Sequence, residues 1–189
     1  MDANKNFLLF DNFRLTYLGQ VPTDVVMPIT AFEGSTFGPV YMKNVSKGTY
    51  LTAGGSDGVT AVLGDLMYQH SYYPETDEYK QGVRETDFTY VAVADGKWKI
   101  KTGYGDHGYL VREDIKARLN GAYDESKALF ELRCIGGNYY IVHVSPDGTN
   151  RFLRYSSASG FGWGTTNDEN QAPGDGFKWT LQTKYELMA

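Results

Sequence analysis

Aromatic rings beside short polar side chains recur in three stretches of this chain. His70, Tyr72, Tyr73 and Asp77 form the first, Tyr104, Asp106 and His107 the second, and Phe161, Trp163, Asn167, Asp168 and Asn170 the third. A sugar ring offers an apolar C–H face and a rim of hydroxyls, so a site for it needs an aromatic platform with carboxylate, amide or imidazole groups alongside. The candidate ligand-binding residues are therefore Tyr72, Tyr73, Asp77, Tyr104, Asp106, His107, Phe161, Trp163, Asn167 and Asp168. Trp163 admits a second reading, because its strand-like position would also let its ring plug the interior. Trp98 and Trp179 sit in alternating stretches and are read as core.

Catalytic groupings are not spelled out. His70, His107 and His143 are scattered, and no two have metal-ligand spacing, so neither a metal nor another cofactor is expected. His143 alternates within a strand and is read as structural or as a surface residue. Cys134 follows a strand, where a buried thiol is the ordinary outcome, and no neighbouring base marks it as a nucleophile. The glycine-rich run from Gly160 to Gly164 lacks the lysine and helix of a phosphate-binding loop. Asp106, Glu113, Asp114, Asp124 and Glu125 read as solvated loop charge, since the separation a glycosidase pair needs is not given by spacing. A non-enzymatic binding protein is the expectation.

Composition narrows the partners. The 189 residues carry a formal net charge of -5 with no run of Lys or Arg, so a phosphate-neutralising stripe for nucleic acid is missing. Apolar runs are a few residues long, too short for a membrane span. A single cysteine and an N-terminus without an apolar leader point to a cytoplasmic or nucleocytoplasmic protein. Asn44-Val45-Ser46 fits a glycosylation sequon but is discounted as a chance triplet.

The elements that would position these loops are short strands. Fifteen tyrosines, ten phenylalanines and 22 glycines suit pleated surfaces joined by tight turns. Three units share one order of events: an alternating strand, a turn, then an aromatic-Leu pair opening a second strand. The first strands are 39–43, 97–101 and 139–143, and the pairs are Tyr50-Leu51, Tyr109-Leu110 and Phe152-Leu153. Third strands are predicted over 59–62, 115–119 and 161–164, and closing strands over 88–93, 129–133 and 177–182. Twelve strands in three units predict an all-β fold, a β-trefoil of three degenerate four-stranded units, in which six strands close a barrel and six cap it. A Greek-key sandwich is the rival architecture. The first unit carries the extra length, a long loop between Gly64 and Thr86. Residues 37–189 form the trefoil domain, and residues 1–36 an extended N-terminal arm that packs on its flank or crosses to a partner subunit.

The stretches 39–44 with Tyr50-Leu51, and above all Phe88 to Val93, Asp95-Gly96-Lys97-Trp98-Lys99-Ile100-Lys101 and Tyr109-Leu110-Val111-Arg112, resemble the amaranthin-type agglutinin domain. The resemblance implies a β-trefoil lectin that binds galactose- or N-acetylgalactosamine-type glycans or glycoproteins, as a homodimer with the sugar near the subunit interface. The residues themselves leave open a protein-binding trefoil, either a protease inhibitor presenting the 64–87 loop or a fascin-like interaction module.

Overall fold

The structure, a computed structural model, describes residues 27–53, 61–64, 87–102, 108–120, 124–166, 173–183 and 186. Within them run thirteen strands: β1 (Met27–Ile29), β2 (Thr36–Asn44), β3 (Tyr50–Ala53), β4 (Ala61–Gly64), β5 (Asp87–Ala92), β6 (Trp98–Thr102), β7 (Tyr109–Glu113), β8 (Lys116–Asn120), β9 (Glu131–Ile135), β10 (Asn138–Val144), β11 (Asn150–Ser156), β12 (Gly160–Gly164) and β13 (Trp179–Gln182). Short 3-10 turns lie at Ala94–Gly96, Glu125–Ala128 and Asp175–Phe177. Among the described residues no helix is long and apolar enough to cross a membrane.

Six strands form the barrel wall in the order β9-β10-β13-β2-β5-β6. The circle closes at one bridge, where the Trp98 N–H donates to the Phe130 carbonyl at 2.7 Å and the Phe130 N–H returns the bond at 2.9 Å. The hairpins β3–β4, β7–β8 and β11–β12 stand off this wall, one per unit. This is a β-trefoil, and closing the wall satisfies backbone groups that an open sheet edge would leave bare.

Alternation and register together explain the core. Leu51, Leu110 and Leu153 face Leu63, Leu119 and Trp163 across their hairpins, and all three landmark leucines are fully buried. Phe88, Phe130 and Trp179 occupy equivalent wall positions, opposite Val40, Trp98 and Tyr139. Trp98 and Trp179 are both core, and their indole N–H groups donate to the Ile29 and Leu153 carbonyls, each at 2.9 Å.

Buried polar residues repeat as well. Asn44, Thr102 and His143 stand at equivalent places near the end of each unit's first strand, and all are buried. Asn44 Nδ2 donates to the Gly176 carbonyl at 3.0 Å, in the turn before β13. His143 Nε2 bonds the Ser126 carbonyl at 2.9 Å, in the turn before β9. Asn44 thus ties the first unit to the last turn of the third, and His143 ties the third to the last turn of the second. Burial of Asn44 also takes its sequon out of reach of modification in the folded protein.

Of the N-terminal arm, β1 lies within the described residues and residues 1–26 lie outside them. β1 pairs antiparallel with β9 of its own chain, Met27 opposite Cys134 and Ile29 opposite Leu132. It takes the β9 edge just beyond the Trp98–Phe130 bridge, where β6 no longer follows. In the first unit the matching stretch is filled by β2 itself, whose Phe37 faces Tyr90.

Candidate functional site

The hairpins β7–β8 and β11–β12 meet beside an open cleft of about 480 Å³, lined by Ile115, Lys116, Arg154, Ser159, Gly160, Phe161, Gly162 and Trp163. The volume is within the range of small-molecule sites, roughly 300–1,000 Å³. Its shape follows from the sequence of β12, Gly-Phe-Gly-Trp-Gly. Side chains alternate along a strand, so Phe161 and Trp163 share one face and the three glycines leave the other bare.

That bare face does two things. Gly162 lets the turn of the second hairpin approach: a Cβ there would collide with the Ile115 carbonyl oxygen. The same carbonyl accepts the Trp163 N–H at 2.8 Å, which fastens the two hairpins together. Gly164 makes room for Arg154, whose guanidinium occupies the space a Cβ would need. Arg154 is the register partner of Gly162, its Nη1 donates to Ser159 Oγ at 3.0 Å, and its guanidinium lies over the Phe177 ring, 5.8 Å from the centroid.

The opposite face points into the molecule. Trp163 is 3% exposed and stacks on Phe130 at 5.2 Å with 6° between the ring planes. It belongs to the core, and what it gives the cleft is a wall. Its indole N–H has no acceptor among the described residues. Phe161 is half-buried, with its ring edge-to-face against Trp179 at 6.2 Å, so part of it remains open to the cleft. Ile115, 64% exposed, completes the apolar side of the rim.

A second cleft, about 460 Å³, adjoins the first and shares Lys116 with it; Glu113, Asp114, Arg118 and Lys127 complete its lining. Glu113 pairs with Arg118 at 3.5 Å. Two of the other acids read as loop charge are also engaged: Glu125 meets Lys99, and Asp124 Oδ1 accepts from Ser126 Oγ at 2.8 Å and from the Ser126 N–H at 3.0 Å, bonds that hold its carboxyl below the usual range. Asp106 lies outside the described residues.

Of the ten candidate residues, Phe161 and Trp163 come together at this cleft. Tyr72, Tyr73, Asp77, Tyr104, Asp106, His107, Asn167 and Asp168 lie outside the described residues. Sequence reasoning missed Ile115, Lys116, Arg154 and Ser159, which reach the site from a turn, a neighbouring hairpin and a cross-strand register. The alternating glycines were the available signal, since they mark a strand that something else must approach closely.

Among the described residues, the groups most suited to proton transfer or nucleophilic attack, His143 and Cys134, are placed elsewhere. His143 is buried with both ring nitrogens engaged, Nε2 by the Ser126 carbonyl and Nδ1 by Arg112 Nε at 3.2 Å. Partial burial pushes the Cys134 thiol above its usual pKa, against thiolate formation. Among the described residues no three of His, Cys, Asp and Glu are grouped to hold a metal ion.

In comparison with solved structures, the chain is similar to a designed threefold-symmetric protein, ThreeFoil, at a TM-score of 0.52 and 17% identity over 76% of this chain and 96% of that one. A ricin B-like lectin of Macrolepiota procera, solved in complex with lactose, aligns at a TM-score of 0.39 and 14% identity over 82% of this chain and 99% of that one. No protein-family model and no curated protein sequence matches. The likeness to ThreeFoil is one of fold.

Proposed function

We propose that this chain is a non-enzymatic carbohydrate-binding β-trefoil whose described site is the cleft between its second and third hairpins. The observation that carries the reading is the composition of that cleft: a partly open Phe161 ring beside Ile115, with the Ser159 hydroxyl and the Arg154 guanidinium at its margin. An apolar face next to fixed polar groups is what a sugar ring requires. The sequence resemblance to amaranthin-type agglutinins puts galactose- and N-acetylgalactosamine-type glycans first among the ligands to try.

An open site of this kind holds one sugar weakly, with a Kd on the order of 1 mM. The test is binding of the chain to a glycan array and titration of the positives by calorimetry or NMR. Phe161→Leu keeps apolar volume next to Trp179 and removes the flat ring, so it is expected to weaken binding roughly tenfold with circular dichroism unchanged. Absence of saturable binding to every saccharide at high protein concentration would overturn the proposal.

A further inference from the structure

The whole chain is acidic, with a formal net charge of -5, yet the lining of this cleft includes two cations, Lys116 and Arg154, and no carboxylate. Among the described residues neither cation has a carboxylate partner. The neighbouring cleft adds Arg118 and Lys127 against Glu113, which pairs with Arg118, and Asp114, so cations still outnumber carboxylates across the two. Local charge therefore opposes the charge of the molecule at the place where the apolar platform lies.

Arg154 is also held in readiness. Ser159 takes one of its N–H groups, Phe177 supports the guanidinium plane and the missing side chain at Gly164 seats it. A guanidinium has five N–H donors in a rigid fork. Ser159 is its only hydrogen-bond partner among the described residues, so donors remain for a ligand. Because its geometry is already fixed, little further side-chain entropy is lost when an anion is bound. Lys116, which opens β8 next to the turn of the facing hairpin, supplies a point charge on a flexible stem from the other side of the cleft.

Resting on the carbohydrate reading above, we infer that the preferred ligand is an acidic saccharide, one whose sugar ring packs on Phe161 while a sulfate or carboxylate substituent is bound between Arg154 and Lys116. A charge-assisted contact to a planar or tetrahedral anion is stronger than the neutral hydrogen bonds a plain hydroxyl would make. It also gives the binding an ionic-strength dependence that a neutral sugar lacks.

The experiment titrates the full chain with four probes: a neutral galactose-type disaccharide, the same disaccharide with a sulfate ester, the same disaccharide with a carboxylate-bearing sugar, and inorganic sulfate. Each is measured at low and high salt. The expected result is that one or both acidic forms bind about tenfold more tightly than the neutral form and lose most of that advantage at high salt. Inorganic sulfate alone should bind far more weakly. Lys116→Gln and Arg154→Gln should bring the acidic forms down to the neutral level, and Arg154→Lys, which keeps the charge, should restore part of the gain if Arg154→Gln folds poorly. Equal affinity for neutral and acidic forms, insensitive to salt and to Lys116→Gln, would overturn this inference and leave the carbohydrate reading intact. Binding of inorganic sulfate as tight as that of the sulfated sugar would also overturn it, and failure of every saccharide would sink both readings.

Discussion

At the scale of single residues, His143 shows what a buried polar group is for in this fold. Its Nε2 faces the Ser126 carbonyl and its Nδ1 accepts from Arg112 Nε, an arrangement that requires the neutral ring with its proton on Nε2. Protonating Nδ1 would set two donors against each other. Burial pushes the imidazole pKa below its usual 6.5; the Arg112 and Lys97 charges act in the same direction, and the Ser126 carbonyl acts against them. In the unfolded chain the ring takes up a proton below 6.5, while the folded ring does so only at lower pH. The unfolded state then binds more protons, so stability is fully present above 6.5 and is lost as pH falls towards the depressed value. Urea midpoints measured across that range should decline on acidification, and His143→Gln should flatten the decline whatever its effect on absolute stability. A slope unchanged in the variant would show that other groups set it.

Among the elements, β1 has the most to teach about what a sequence reveals. The strands of the three units were visible as alternation with an aromatic-Leu mark, because one face of each is buried and burial imposes period two. β12 was visible too, though not the use of its bare face. β1 was not predictable in its pairing, since three residues, Met-Pro-Ile, carry no period. Its position is fixed by a gap in the wall beside β9 and by the Trp98 indole bond to Ile29. Arg154 escaped notice for a similar reason: its role depends on which residue of the next strand lies opposite, and only register decides that. Two truncations isolate the role of β1. A chain starting at Met27 keeps β1, whereas a chain starting at Thr30, which lacks it but keeps the Gly34 and Ser35 bonds to Ala92, should be about 2–4 kcal/mol less stable than the first and self-associate through the bare β9 edge. Denaturant melts and sedimentation would read this out; two monomers of equal stability would refute it.

For the molecule as a whole, the joints between units matter most. β5 pairs with β6, β9 with β10, and β13 with β2, so every unit shares a ladder with both others. Asn44 and His143 add polar ties across two of these joints. A unit with its own core could come apart alone; units joined in this way should not. Leu51→Ala, Leu110→Ala and Leu153→Ala are each expected to cost about 2–5 kcal/mol and to lower one common transition. Tryptophan fluorescence, which reads Trp98 in the second unit and Trp163 and Trp179 in the third, should coincide with far-UV circular dichroism in all three variants. A variant with two separated transitions would mean that the units are energetically independent.

The glycine face of β12 also decides how this protein can be altered. Gly162 and Gly164 cannot accept even a methyl group without forcing apart two hairpins or unseating Arg154, so the floor of the cleft is closed to redesign. Its rim is not. Ile115, Lys116 and Ser159 project from turns or from the end of a hairpin, outside the ladders that hold the barrel together. Phe161 serves both ligand and core, but a library confined to those three positions would vary ligand preference while leaving the barrel ladders alone.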